Sequence, residues 1–291
     1  MPELPEVETI ASDLDAKLRD RKIISLDLLS PKSVKNTPLF FKQNLIGFSF
    51  KGISRRGKLL IFKLKNNYLL IHLKMTGQLI YKDKKTVVAG GHSLSKASLA
   101  DNVGGELPNK HTRVIINFQN GAELFFNDLR RFGYLKIVTE EELQKILKNN
   151  YGPEPLTKDF SAKYLEELFK KRKTKIKALL LDQKLVAGLG NIYVDEALFA
   201  AGIRPGRIAS SLRTAEIKKL FLVTNSLIKQ AIKHRGTTFS DYVDSKGQKG
   251  NFSKYLKVYG RKNENCVNCG LPITRIKLAG RGTHYCQNCQ K

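Results

Sequence analysis

The chain has 291 residues, 41% of them hydrophobic, and its 52 Lys and Arg outnumber its 26 Asp and Glu to give a formal net charge of +26. This length and apolar content predict two folded domains and argue against wholesale disorder. The charge indicates a polyanionic partner. No apolar run reaches the roughly 18 residues of a membrane helix, and the acidic amino terminus is unlike a targeting leader. We therefore expect a cytoplasmic protein that does not enter a membrane.

The first predicted element is an amphipathic helix at the amino terminus. Pro5 is suited to the first position of a helix. Apolar side chains then recur at helical spacing, at Val7, Ile10, Ala11, Leu14 and Leu18. The extreme terminus is therefore expected to be held against a folded domain.

Strand-like alternation follows, from residue 22 to about residue 138. Strands are predicted at residues 23–28, 58–65, 67–74, 113–118 and 135–138. Short strands separated by Gly and Asn turns favour a β-sandwich or barrel over βαβ units. Residues 82–110, which are rich in Lys, Gly, Ser and Asn, are predicted to form a long mobile loop.

The period changes to that of helices from residue 139 onward. Thr139 and Glu142 have the spacing of a capping box, and helices are predicted near residues 161–171, 174–182, 191–201 and 214–234. The Gly- and Pro-containing residues 151–155 predict a stiff, non-helical boundary before this helical half.

A basic run precedes a glycine turn in the helical half. Residues 170–177 include Lys173 and carry six positive charges, and residues 187–191 read Ala-Gly-Leu-Gly-Asn. Bare amides at a helix start suit a phosphate, although Asn191 as an ordinary N-cap is the alternative from local sequence alone. The turn is not a dinucleotide-binding loop, because the GxGxxG pattern fails at Tyr193.

All four cysteines lie at the carboxyl end, in two CxxC pairs separated by 16 residues: Cys266, Cys269, Cys286 and Cys289. Two such pairs are typical of a tetrahedral Zn(II) site with four thiolate ligands. Four protein ligands leave no open coordination position, so one structural Zn(II) ion is predicted, and the hairpin should need it to fold. Two disulfides, or His284 in place of one thiolate, are the alternatives; a cytosolic chain disfavours the disulfides.

The first nine residues, MPELPEVET, resemble the amino terminus of bacterial formamidopyrimidine-DNA glycosylases. The resemblance covers nearly the whole chain in order, except residues 82–110. It includes residues 56–58, 72–77, 128–133, 152–156, 188–193, 236–238 and 258–261 and the cysteine hairpin.

The resemblance implies an α+β fold that clamps DNA between its domains. Its parts would be an N-terminal catalytic helix and β-sandwich with flanking helices (1–150), a helix-two-turn-helix domain (151–236), a lesion-capping loop and connection (237–260), and a zinc-finger β-hairpin (261–291).

The chemistry that the resemblance implies starts at Pro2, whose secondary amine becomes free when Met1 is removed. An α-amino group with a pKa near 8 is roughly 10% unprotonated at pH 7, far more than a lysine, so it is the better nucleophile. Its attack at the sugar C1′ would expel the damaged base and form an iminium, and β,δ-elimination would then cut the strand on both sides.

Four further residues match catalytic positions of that family. By the resemblance, Glu3 handles protons, and Glu6, one helical turn later, orients the terminus or the sugar. Lys58 and Arg281 are implied to hold the lesion and its phosphates. Local sequence alone would assign Glu3, Glu6 and Glu8 to a helix dipole. In a chain of charge +26, however, acids that face DNA repel phosphate, which favours a functional site.

The remaining implied residues bind DNA. A flipped nucleotide leaves a hole in the duplex, and the resemblance assigns Met75, Arg130 and Phe132 to fill it. Met75 and Phe132 alone would be interpreted as core residues. The side chains implied to hold the DNA backbone are His72, Lys173, Asn191 and Tyr259.

The sequence as a whole predicts a monomeric, nucleoid-associated enzyme that removes oxidised purines from damaged double-stranded DNA. One alternative is an endonuclease VIII-type glycosylase for oxidised pyrimidines, which Leu4 disfavours because that relative tends to carry glycine there. The other is a non-catalytic zinc-hairpin nucleic-acid binder, which needs no Pro-Glu terminus. Lys74 replaces a usual glycine and Leu129 a usual proline, so the wedge segment departs from the family pattern.

Overall fold

The computed structural model describes residues 1–91, 105–237 and 251–291. The chain forms two compact units, Met1–Leu147 with His234–Phe252, and Lys148–Lys233 with Ser253–Lys291. The division into four segments at residues 150, 236 and 260 stays a prediction. No helix in the described ranges is both long and apolar enough to span a bilayer.

In the described residues, the first unit has nine strands and three α-helices, the last of which runs past Leu147. The helices are α1 (Leu4–Leu18), α2 (Pro38–Gln43) and α3 (Glu140–Asn150). The strands are β1 (Ile23–Leu28), β2 (Gly52–Arg56), β3 (Leu59–Lys63), β4 (Tyr68–His72), β5 (Gly77–Lys82), β6 (Val87–Gly91), β7 (Thr112–Phe118), β8 (Glu123–Asp128) and β9 (Tyr134–Val138).

These strands form two antiparallel sheets, in the orders β1-β7-β8-β5-β6 and β2-β3-β4-β9. Phe62 of β3 and Phe118 of β7 belong to different sheets, and both pack edge-on against Phe50, at centroid distances of 5.0 and 6.2 Å. One apolar core therefore lies between the sheets. The predicted β-sandwich is confirmed.

Helix α1 packs its apolar face on this core, as its spacing predicted. It begins at Leu4, so Pro5 occupies the second helical position and not the first. A Cβ atom on Gly90 of β6 would lie 2.5 Å from Cγ1 of Ile10, which shows how closely strand and helix approach. The interpretation of residues 82–110 as one loop is wrong for Val87–Gly91, which pairs with β5; residues 92–104 lie outside the described ranges.

The second unit is helical and ends in a hairpin. Its helices are α4 (Ala162–Phe169), α5 (Ile176–Leu181), α6 (Asn191–Ala201) and α7 (Thr214–Lys233), and its strands are β10 (Thr274–Leu278) and β11 (Arg281–Tyr285). Each helix falls within its predicted span. The capping box is also confirmed, since Thr139 Oγ1 accepts from Glu142 N and Glu142 Oε2 accepts from Thr139 N.

Candidate functional site

The side chain of Glu6 links the start of the chain to a distant turn of the same unit. Its Oε2 atom accepts a hydrogen bond from the Glu3 amide (2.9 Å), and its Oε1 atom accepts from the amide and hydroxyl of Thr237 (2.7 and 3.1 Å). Pro2, Glu3 and Glu6 are all buried. One carboxylate therefore fixes both the residue after Pro2 and the Gly236-Thr237 turn.

The surroundings of the terminus favour a neutral amine. The pKa of the Met1 amino group is lowered, chiefly because burial disfavours its charged form, while nearby Glu3 and Glu6 raise it and Lys58 lowers it. Lys58 is itself buried, immediately before β3. The structure thus brings together Pro2, Glu3, Glu6 and Lys58, four of the five predicted catalytic residues.

A buried carboxylate organises the two loops that carry the predicted wedge residues. Asp128, at the end of β8, is fully buried. Its Oδ1 atom accepts from the Thr76 hydroxyl (2.5 Å) and the Arg130 amide (3.2 Å), and its Oδ2 atom accepts from the Gly133 amide (2.7 Å). The Thr76 hydroxyl oxygen also accepts from the Arg130 amide (3.0 Å). The loop after β4 and the loop after β8 are therefore joined.

This junction displays two of the three wedge side chains. Phe132 is 55% exposed, and the guanidinium of Arg130 lies 4.8 Å above its ring. Phe132 is therefore not a core residue. Met75 is half-buried on the neighbouring loop. Leu129, at the position of the usual proline, is 47% exposed.

His72, at the end of β4, is a neutral imidazole. Burial, together with the nearby charges of Lys74 and Lys58, lowers its pKa to about 3. Its Nδ1 atom accepts from the Lys74 amide at 3.0 Å, so the ring proton resides on Nε2. Lys74 adopts a left-handed backbone with φ of +49°, the region that favours the glycine usual at this position.

The second unit carries the other predicted DNA-binding residues. Asn191 is the first residue of α6 and Gly190 is the N-cap, so the N-cap alternative for Asn191 is wrong. Its Nδ2 atom donates instead to the carbonyl of Gly282 (2.8 Å). Lys173 is exposed, but Lys177 from the same basic run is fully buried beside Asp195, which the charge pattern did not reveal.

Arg281 and Tyr259 are held at the zinc hairpin. Arg281 is exposed at the start of β11, next to Gly282. The Tyr259 ring packs edge-on against His284 at 5.0 Å. Its amide, with those of Lys257 and Val258, donates to the carboxylate of Glu196, at distances of 2.8 to 3.0 Å. Burial raises the pKa of Glu196, although these amides oppose the shift.

The four cysteines fit a tetrahedral metal site. Their sulfur atoms all lie within 4.8 Å of one another, with Cys266 to Cys289 at 3.8 Å and Cys269 to Cys286 at 3.5 Å. Zn–S bonds of about 2.3 Å imply sulfur separations of about 3.8 Å in a tetrahedron. All four thiols are free, which contradicts the two-disulfide alternative.

His284 does not belong to this metal site. Its ring packs on Tyr259 and its Nδ1 atom faces Asp195 at 3.5 Å. The predicted structural Zn(II) ion is therefore held by the four thiolates alone.

Three family models match the chain in order. They are the formamidopyrimidine-DNA glycosylase N-terminal domain (residues 1–135), the H2TH domain of the same enzymes (151–243), and the zinc finger found in these glycosylases and isoleucyl-tRNA synthetases (263–291). The chain belongs to the formamidopyrimidine-DNA glycosylase family. It is accordingly a DNA glycosylase of base excision repair.

Individual relatives agree with this assignment. The formamidopyrimidine-DNA glycosylase of Desulforamulus reducens is 44% identical over 100% of this chain and 99% of its own length. A mutant of the Lactococcus lactis enzyme bound to DNA containing Fapy-dG has a TM-score of 0.85 at 36% identity and covers 100% of both chains. The wild-type Lactococcus lactis enzyme bound to DNA containing an oxidised pyrimidine gives the same TM-score, identity and coverage.

Sequence reasoning missed several polar residues that hold this glycosylase's candidate site together. They are Thr76, Asp128, Asp195 and Glu196, all nine-tenths or more buried. The sequence offered one clue to these residues: they are polar and lie close to predicted site residues. Thr76 follows Met75, for example, and Asp128 precedes the loop that carries Arg130. Buried polar groups need partners, but the sequence did not show which partners these were.

Proposed function

We propose that this glycosylase excises oxidised purines from double-stranded DNA with the amine of Pro2 and then cleaves the strand by β,δ-elimination. The observation that carries the proposal is the Glu6 carboxylate, which holds the Glu3 amide and the Thr237 turn at once. The bond to the Glu3 amide belongs to a capping box at the start of α1, but a helix cap does not need the bonds to Thr237. A carboxylate so fixed can orient the amine beside it.

The reaction begins after Met1 is removed, since the nitrogen of Pro2 is otherwise an amide. The lone pair of that nitrogen attacks C1′, and the N-glycosidic electrons leave with the base. The nitrogen then loses its proton and the C1′–O4′ bond breaks; O4′ takes up a proton as the nitrogen lone pair forms a C1′=N iminium. The iminium acidifies the C2′ proton, whose removal lets the 3′ phosphate and then the 5′ phosphate leave. Glu3 is the nearby carboxyl group that handles protons. Burial lowers the pKa of the Met1 amino group in this structure, and the same surroundings would favour the neutral form of the Pro2 amine after Met1 is removed.

Base removal first requires the nucleotide to leave the stack. We assign the vacated space to Met75, Arg130 and Phe132, because Asp128 and Thr76 join the loops that carry them and leave Phe132 and Arg130 exposed. An aromatic ring and a guanidinium stacked on it can replace a base and meet its orphaned partner.

Backbone contacts would come from both units. Neutral His72 has an Nε2–H to donate to a phosphate, and exposed Lys173 and Arg281 supply charge. Asn191 uses one hydrogen of Nδ2 on Gly282 and retains the second. Tyr259 is the remaining proposed contact to the DNA backbone. We further propose that the enzyme acts as a monomer on nucleoid DNA in the cytoplasm.

The deciding experiment compares wild type with Pro2→Gly on a duplex with a single abasic site. We expect strand scission and a borohydride-trapped protein–DNA adduct for wild type, and loss of scission at both sides of the site for the variant. Intact mass should show that active protein lacks Met1. Active protein that retains Met1, or no adduct, would overturn the mechanism.

The substrate preference has a second candidate, because a relative has been solved with DNA containing an oxidised pyrimidine. Release of 8-oxoguanine opposite cytosine is compared with release of thymine glycol in matched duplexes. We expect the purine to dominate. Dominance of thymine glycol would instead assign the endonuclease VIII-type specificity. The non-catalytic binder does not fit an enzyme family.

A further inference from the structure

A fully buried ion pair lies in the second unit, away from the residues that the mechanism uses. Lys177 of α5 and Asp195 of α6 are each 0% exposed, and Nζ lies 2.6 Å from Oδ1. Burying two charges is expensive, and their attraction repays the cost only when their other polar atoms are also bonded. Apolar side chains of the same volume would stabilise the helices as well. Stability alone therefore does not explain why this position holds an ion pair.

The remaining polar atoms of the pair bind the backbone of β11. Asp195 Oδ2 accepts from the His284 amide (2.9 Å), and Lys177 Nζ donates to the Gly282 carbonyl (3.2 Å). Asn191 Nδ2 donates to the same carbonyl (2.8 Å). Side chains of two helices thus hold backbone groups one and three residues after Arg281.

The side chain of Arg275 lies close to the strand at this point. A Cβ atom on Gly282 would lie 2.8 Å from an Nη atom of Arg275, the residue paired with His284 across the hairpin. The backbone that follows Arg281 therefore lies against a guanidinium and is bonded by the side chains of both helices.

Asp195 also lies beside His284, which packs against Tyr259. Its Oδ2 atom lies 3.5 Å from Nδ1 of His284, and the His284 ring supports Tyr259 edge-on at 5.0 Å. The next residue, Glu196, binds the amide of Tyr259 (2.8 Å). Asp195 thus holds the strand that carries Arg281, and Glu196 separately holds the segment that carries Tyr259.

We propose that Asp195, through its buried pair with Lys177, is a positioning residue that aims Arg281 at the DNA backbone. It acts on the Gly282 and His284 backbone groups and touches no substrate. The inference rests on the proposed DNA contact of Arg281.

The test is a thermodynamic cycle on binding to a duplex with a tetrahydrofuran abasic analogue. The variant Lys177→Met with Asp195→Leu removes both charges together, so it leaves no unpaired buried charge and does not alter net charge. Binding is measured in wild type and in Arg281→Ala, each with and without the double substitution. Zinc content is measured in all four proteins.

We expect the double substitution to weaken binding about tenfold in wild type and less than about twofold in Arg281→Ala, with one zinc per chain throughout. Equal losses in both backgrounds, or no loss in wild type, would overturn the inference. If Arg281→Ala alone binds as tightly as wild type, the proposed contact fails instead. Should the double variant lose zinc, Asp195→Asn replaces it in the same cycle, with the same two outcomes deciding.

Discussion

A Cβ atom on Gly236 would lie 2.5 Å from Oε1 of Glu6, the same oxygen that accepts from Thr237. Gly236 also has φ of +81°, a conformation that L side chains rarely adopt. Glycine is therefore needed here for two reasons: the turn has a left-handed backbone, and a side chain would collide with the Glu6 carboxylate.

Gly236→Ala should displace the Glu6 carboxylate and slow trapping of the borohydride adduct by at least about tenfold at saturating DNA. The matched control is Gly121→Ala, where φ is +78° and nothing lies within 4 Å of the added Cβ. Both variants should lose about 1 kcal/mol of unfolding free energy from the backbone alone. Equal trapping rates for the two would contradict the role of Glu6.

Lys74 has a left-handed backbone where a glycine is usual, and its Nζ lies 5.9 Å from the Tyr134 ring centroid. Lys74→Ala and Lys74→Gly both remove the cation–π contact, but only glycine relieves the backbone. Glycine relieves backbone strain of about 1–2 kcal/mol, but it also makes the unfolded chain more flexible, which offsets part of this gain. We therefore expect Lys74→Gly to be about 0.5–1 kcal/mol more stable than Lys74→Ala. Urea unfolding measures the difference; equal stabilities would show no strain at this position.

His72 should make the protein less stable in mild acid. Its folded-state pKa of about 3 lies below the unfolded value, so the unfolded chain binds the proton more tightly. The stabilisation is complete above pH 6.5 and is lost as the pH falls towards 3. Between pH 7 and 5 the wild type should lose up to about 2 kcal/mol more unfolding free energy than His72→Asn. Identical losses would contradict a buried neutral His72, and no difference is expected between pH 8 and 7.

Removal of zinc should release the carboxyl-terminal hairpin. Cys266 and Cys286 are buried in a small apolar cluster with Phe199, Val258 and Ile273. The metal would hold the two cysteines in this cluster. Before chelation we expect no thiol to react with a disulfide reagent, and afterwards all four, together with loss of DNA binding. Thiols that become reactive only after a reductant would indicate disulfides in place of the metal.

Patterns with a local cause were predictable. Helix α1, strand β1 and helices α4 to α7 lie where the spacing of apolar residues placed them. The strands that were missed are β2, β5, β6 and β8, and two of them contain continuous buried runs. In β5, five successive residues from Gly77 to Tyr81 are buried, and in β8 the buried run includes Asn127 and Asp128. Strand β2 carries Arg55, which forms an ion pair with Glu8 of α1. The sequence of β2 alone does not reveal this partner.

The sequence by itself determined which groups the glycosylase has for chemistry, because Pro2, Glu3 and the CxxC pairs are defined by short-range spacing and by the identity of their atoms. The tertiary structure decided what holds them. Glu6 and Thr237 are 231 residues apart, Thr76 and Asp128 are 52 apart, and Asp195 and His284 are 89 apart. Each of these bonds gives a buried polar atom the hydrogen-bond partner that it needs. Only the folded chain determines which residue that partner is.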